Sequence, residues 1–256
     1  MWARALLRGA TDFVYPPACR LCDGELPESP AEGIGPVFCA QCEAALLADR
    51  GTACVRCGAT IGPGLDPKLP CAFCHDESYT FERTVRLGVY DGPLRAACLA
   101  IKKPGSESLA AALAELTWQL EKDVFAGAGI DVVIPIPQFW MQRFTRGHHA
   151  ADTLAEAWAR RLQVPLASHI LRKVRWTRPQ ARLTPSERRV NLRRAFATVG
   201  VDALAGASVL LADDVMTTGT TVQEATRQLR QAGAARVVVA VVARGLGRQV
   251  SHGSRS

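Results

Sequence analysis

The sequence predicts an open, mostly parallel α/β sheet with a small cysteine-rich unit in front of it. Three observations lead there. From residue 79 onward, short apolar runs of strand character alternate with amphipathic helical stretches. One of those runs, Val209 to Ala212, passes into Asp213-Asp214, then a loop of hydroxyls around Gly219, then a helical stretch from Val222 to Ala232. Eight of the nine cysteines form four Cys-x-x-Cys knuckles before residue 75.

With 256 residues, 48% of them hydrophobic, the chain can form one core domain plus a smaller unit. The expected division is 1–78 for an N-terminal helix and the cysteine unit, 79–245 for the sheet domain, and 246–256 for a polar, disordered tail. Met1 to Pro17 is too broken for an export signal and reads as a short helix docking through Trp2, Leu6, Leu7 and Phe13. No apolar run reaches the length of a membrane span. The chain is therefore expected in the cytoplasm. Net charge is +7, divided into −4 up to Ser78 and +11 beyond it. Any attraction to polyanions belongs to the second part.

The knuckles are Cys19/Cys22, Cys39/Cys42, Cys54/Cys57 and Cys71/Cys74. Two knuckles complete one tetrahedral four-cysteine site. Even repetition without an export signal favours zinc over disulfides. The simplest pairing is sequential, with Cys19, Cys22, Cys39 and Cys42 on one ion and Cys54, Cys57, Cys71 and Cys74 on the other. A crossed pairing is the alternative. All-cysteine sites leave no open position, so the expected role is structural. Four thiolates add negative charge to an acidic unit, which argues against direct phosphate binding there. His75 is expected to be exposed rather than a ligand.

In the body, Val85 to Tyr90 reads as a strand and Leu94 to Ile101 as a helix. Cys98 lies on that helix's apolar face, and Lys102 and Lys103 sit at its end, where the dipole favours cations. Leu109 to Val124 is a second amphipathic helix. Asp131 to Ile136 is a buried strand ending in Pro135-Ile136-Pro137, which forces an irregular loop. Arg143 and Arg146 follow, then a helix from His148 to Leu162. Leu171 to Arg194 carries nine basic residues against Glu187. Within it, Ser186 to Arg193 can be helical, and Ala195 to Val199 returns as a strand. Trp176 is either a stacking platform in a basic surface or a core anchor. Arg236 to Ala243 is a final buried parallel strand.

The stretch from Val209 to Thr221 has the chemistry of a ribose 5-phosphate site. Backbone amides at a glycine-containing turn and helix N-terminus suit a phosphate, and Thr217, Thr218, Thr220 and Thr221 add hydroxyls and can cap the helix. Gly219 allows close approach or positive φ. Asp213 and Asp214 are acceptors and suit a vicinal diol. Both reach one ribose only if the strand has ended before them, because neighbours on a strand face opposite ways.

That segment resembles the phosphoribosyl-pyrophosphate (PRPP) signature of type I phosphoribosyltransferases. The whole chain resembles the ComF (competence protein F) family, a double zinc ribbon plus a type I phosphoribosyltransferase-like domain. The resemblance runs through the knuckles, Tyr90-Asp91-Gly92, Ile101-Lys102, Ile134-Pro135-Ile136-Pro137 and Arg146-Gly147. It continues in Arg178-Pro179-Gln180-Ala181, Glu187 to Asn191, Ala195-Phe196 and Asp213-Asp214. It departs at His148-His149, where the family usually has Phe-Asn.

The resemblance implies Mg²⁺·PRPP bound through Asp213, Asp214, Thr217, Thr218, Gly219, Thr220 and Thr221. Lys102, Arg143 and Arg146 would neutralise the departing pyrophosphate. The activity that the resemblance implies is that of a phosphoribosyltransferase, a pentosyl-class glycosyltransferase, acting in bacterial DNA uptake. The alternative is a non-catalytic protein that keeps the fold as scaffold and handles single-stranded DNA through Arg178, Arg188, Arg189 and Trp176. Other competence proteins are the implied partners.

Overall fold

The computed structural model describes residues 18–26, 36–138, 149–177, 185–200 and 204–246, with 185, 186, 188 and 189 described by backbone alone. The expected N-terminal helix and most of the tail lie outside these residues, as do Arg143, Arg146, His148 and Arg178.

The elements in chain order are α1 (Ala40–Leu47), β1 (Arg83–Val89), α2 (Gly92–Ala100), α3 (Glu107–Gly127), β2 (Val132–Pro135), α4 (Ala150–Leu162), β3 (Leu171–Lys173), α5 (Pro185–Leu192), β4 (Phe196–Thr198), β5 (Ser208–Met216), α6 (Thr220–Gln231) and β6 (Arg236–Arg244). The main sheet is fully parallel, in the order β1-β6-β5-β2. The expected parallel α/β architecture is the observed one, with one difference in the basic segment. There β3 and β4 leave the main sheet and pair with each other antiparallel, Arg172 opposite Ala197.

The unbroken apolar run of β6 follows from burial on both faces. Val238, Ala240 and Val242 pack with α2, α3 and α4, while Val237, Val239 and Val241 pack with α6 and the β3–β4 pair. Trp158 of α4 is fully buried on the first face and donates Nε1–H to the carbonyl of Ala114 at 3.0 Å. Glu115 of α3 takes two hydrogen bonds, at 2.7 and 2.6 Å, from Arg161 of α4 and so fixes that helix pair.

The cysteine-rich unit covers the β1 edge. Thr84 N–H donates to the Val55 carbonyl at 3.0 Å, and Arg50 Nε donates to Leu87 O at 3.2 Å. An open strand edge is thereby occupied by the chain's own residues. No helix among the described residues is long and apolar enough to cross a membrane.

Candidate functional site

Strand β5 lies inside the sheet, between β6 and β2. The helix that follows β5, α6, packs on one face, whereas α4, which follows β2, packs on the other. Chain connections that leave neighbouring strands in opposite directions open a crevice at the strands' C-terminal ends. Asp213 and Asp214 sit at that end of β5.

The strand does not stop at the acidic pair. Pairing with β6 continues through Asp213↔Val241, Val215↔Ala243 and Met216↔Arg244. The strand thus runs on past the acidic pair, yet the Asp213 and Asp214 carboxyls stay within hydrogen-bonding reach of each other. Asp214 looks toward the end of α2, where Lys102 Nζ lies 2.6 Å from its Oδ2. The Asp213 charge acts on Lys102 as well and on Lys173 of β3.

Burial, helped by the neighbouring Asp214 charge, raises the Asp213 carboxyl well above the usual carboxylate range. Burial pulls Lys102 down, but the Asp214 carboxylate outweighs it and leaves the ammonium above its ordinary value. Lys173 is lowered by burial, which Asp213 only partly offsets.

The loop after β5 turns on Gly219, whose φ is 77° and which is the N-cap of α6. Positive φ was the expected use of this glycine. Gly219 itself has no side chain to cap α6, but Thr218 Oγ1 accepts from the Thr220 N–H at 3.5 Å and lies 2.8 Å from Thr220 Oγ1. With a left-handed glycine at the N-cap, the hydroxyls turn to each other. A Cβ on Gly219 would meet Met216 Cε at 3.0 Å and the Tyr79 ring at 3.3 Å. Asp213 and Thr217 to Thr221 line one cavity of about 20 Å³, which is room for about one water. Asp214 does not line it.

The cysteines gather as two clusters, Cys19/Cys22/Cys39/Cys42 and Cys54/Cys57/Cys71/Cys74, the ligand sulfurs of each lying within 4.8 Å of one another. The pairing is sequential, so the crossed alternative is excluded. Sγ–Sγ separations of 3.8 Å for Cys22–Cys39, 3.9 Å for Cys54–Cys74, 3.5 Å for Cys57–Cys71 and 3.8 Å for Cys71–Cys74 fit a tetrahedron. Bonds of about 2.3 Å, those of Zn²⁺ to sulfur, give edges of about 3.8 Å. His75 is exposed and lies 2.9 Å from Asp76, away from a ligand role.

Trp176 is 53% exposed, which removes the core-anchor alternative. Its chain neighbour Arg175 lines an open groove of about 490 Å³ with Val190, Arg193 and Arg194. Arg188 and Arg189 lie on α5, between Pro185 and Leu192. Cys98 is fully buried, as expected of a small apolar residue, and burial raises its thiol to about 12. The sequence reading missed three residues at the site: Lys173, Tyr79 and Arg244. Only Arg244 had a signal, a lone cation closing the apolar run of β6.

Comparison with known proteins agrees with this architecture. The chain is 30% identical over 205 residues to the DNA utilization protein YhgH of Salmonella typhimurium, covering 79% of this chain and 88% of that one. It is 29% identical over 178 residues to competence protein F of Haemophilus influenzae, covering 68% and 78%.

The chain belongs to the competence protein F family.

In this member of the competence protein F family, the phosphoribosyl transferase domain family matches residues 148–252, from α4 to the end of the sheet. The cysteine clusters lie outside that match. Among solved structures, the chain is similar to an adenine phosphoribosyltransferase, at a TM-score of 0.35 and 18% identity over 58% of this chain and 75% of that one. It is likewise similar to the allosteric regulatory enzyme of purine biosynthesis, at a TM-score of 0.36 and 23% identity over 52% and 26%.

Proposed function

We propose that this protein binds PRPP, or a related ribose 5-phosphate, with Mg²⁺ at the C-terminal end of β5, and acts in DNA uptake or utilisation. One observation carries the reading: β5 delivers Asp213-Asp214 to a crevice immediately before a positive-φ glycine at a helix N-terminus. The loop amides and Thr217 to Thr221 take the 5-phosphate. Asp213, which shares their cavity, accepts from the ribose hydroxyls. Asp214 joins it only after exchanging Lys102 for the ligand or its metal. Lys102, with Arg143 and Arg146, meets the pyrophosphate. The two four-cysteine clusters hold structural Zn²⁺. The DNA role rests on the relatives, named for competence and DNA utilisation.

A second reading is supported by the exposure of Trp176, next in the chain to the groove-lining Arg175. Exposed aromatics interleaved with cations suit single-stranded nucleic acid. The two readings are compatible, since a site for ribose 5-phosphate also accepts a nucleotide 5′-phosphate. Calorimetry of PRPP with Mg²⁺ against the zinc-loaded protein, repeated with single-stranded DNA, tests both. Micromolar binding that Asp214→Asn weakens in a folded protein is the expected result. Absence of binding by the folded wild type overturns the PRPP reading.

A further inference from the structure

The second cysteine cluster stands directly behind the loop that follows β5, and one side chain joins them. Arg244, the last residue of β6, is only 3% exposed. Its Nε donates to the carbonyl of Cys57 at 2.7 Å, inside a metal-binding knuckle. Its Nη1 donates to the Met216 carbonyl at 3.1 Å and also to the carbonyls of Thr217 and Gly245. Met216 and Thr217 are where the loop begins.

Tyr79 makes a second link. Its ring packs against the cluster of Cys54, Cys57 and Cys74. Its hydroxyl donates to Thr218 O at 3.3 Å, and the ring closes on Gly219. Arg56 lies over that ring, 5.7 Å from its centre, and donates to the carbonyls of Cys74 and Glu77. The first cluster, by contrast, packs against Leu46 and the α2–α3 face of the sheet. Among the described residues it has no hydrogen bond to the loop.

Electrostatics point the same way. Four thiolates on a divalent ion carry a net charge of −2. Among the described residues, the buried cations beside the second cluster are Arg244, on the Cys57 carbonyl, and Arg86, next to Gly58. Metal binding there gives Arg244 a reason to stay in place, and Arg244 in place holds the first two residues of the loop.

We propose that Arg244 is a positioning residue that couples the metal state of the Cys54–Cys57–Cys71–Cys74 centre to the shape of the Thr217–Thr221 loop. The ligand that feels this coupling is the ribose 5-phosphate of the reading above, on which this part rests. The coupling itself is measurable without any ligand. By linkage, occupation of the loop strengthens metal retention at the second centre by the same factor that metal strengthens ligand binding.

The test is hydrogen exchange at the amides of Thr218 to Thr221 in the full-length, zinc-loaded protein. Cys71→Ser is expected to release one zinc and speed exchange there, whereas Cys42→Ser releases the other zinc and leaves those amides unchanged. Arg244→Met is expected to keep both zincs, speed the same amides and weaken PRPP binding by roughly tenfold, with Arg244→Lys intermediate. Equal loop exchange in wild type and in Arg244→Met, with two zincs bound in each, overturns the coupling even if Cys71→Ser fails to fold. Faster exchange in Arg244→Met supports it even if wild type ignores PRPP, an outcome that overturns only the ligand assignment.

Discussion

Lys102 Nζ lies 2.6 Å from Asp214 Oδ2, so the cation expected to meet pyrophosphate is held by a carboxylate expected to meet ribose. These two groups satisfy each other. Asp214 is mostly covered, while Lys102 keeps 43% of its side chain exposed. The pair is thus worth less than a fully buried one. Asp214→Asn is expected to lower unfolding stability by about 1–2 kcal/mol. Adding Lys102→Met should recover part of that loss. A double-mutant cycle by urea denaturation reads the coupling, and strictly additive effects would mean that the pair contributes nothing.

Asp213 gives a pH signature. Its folded-state pKa lies above the ordinary carboxylate value, with burial the main cause. Between the unfolded and folded values the native protein binds more protons than the unfolded chain, so stability falls as pH rises through that window. Asp213→Asn removes the titration. It is expected to raise Tm at pH 8 by about 2–4 °C per kcal/mol of relief. The gain should shrink as pH is lowered toward the ordinary carboxylate range. The same variant should weaken PRPP binding, a trade of function for stability. A Tm difference that does not vary with pH would assign the effect to packing.

Gly219 is the least replaceable residue of the loop. Its φ of 77° strains any L side chain, and a Cβ would press on Met216 and Tyr79. Gly219→Ala is expected to cost about 1–3 kcal/mol in stability and to lose PRPP affinity. Chemical denaturation followed by calorimetry separates the two effects. Unchanged stability would mean that the turn relaxes without strain.

The exposed Trp176 makes a separate claim. If single-stranded DNA stacks there, Trp176→Ala should weaken DNA binding by about 1–3 kcal/mol, and binding should fall steeply with salt. Fluorescence anisotropy over a salt series measures both. An exposed tryptophan contributes little to the core, so Tm should barely move. DNA affinity indifferent to both salt and this substitution would remove the basic surface from consideration.

Metal content closes the set. Two zincs per chain are expected by elemental analysis, and a strong chelator should lower Tm in two steps if the centres release metal independently. A metal-to-protein ratio near zero in a folded preparation would rule out the structural-zinc role.

The strands and helices were legible because their signals are local. The alternation of β6 between two buried faces is written in Val237 to Val242, and the cysteine spacing announces two tetrahedral sites. Gly219 advertises its turn through its own lack of a side chain. What the sequence could not express is register. Asp213-Asp214 looked like a strand end, yet pairing with Val241 and Ala243 carries β5 on to Met216. That continuation places the acidic pair inside the strand, where Asp214 is paired with Lys102 and the Asp213 charge acts on both Lys102 and Lys173.

The sequence by itself determined the parallel α/β sheet, the cysteine unit before it and the acidic, threonine-rich segment at the end of a buried strand. All of these follow from spacing along the chain. Only the tertiary structure decided that the knuckles pair sequentially, that Trp176 faces outward, and that Arg244 reaches from β6 to Cys57 and the loop. Those facts depend on atoms distant in sequence arriving at one point, 187 positions apart for Cys57 and Arg244. No local pattern encodes such an encounter, because it is set by how strands and knuckles pack in three dimensions.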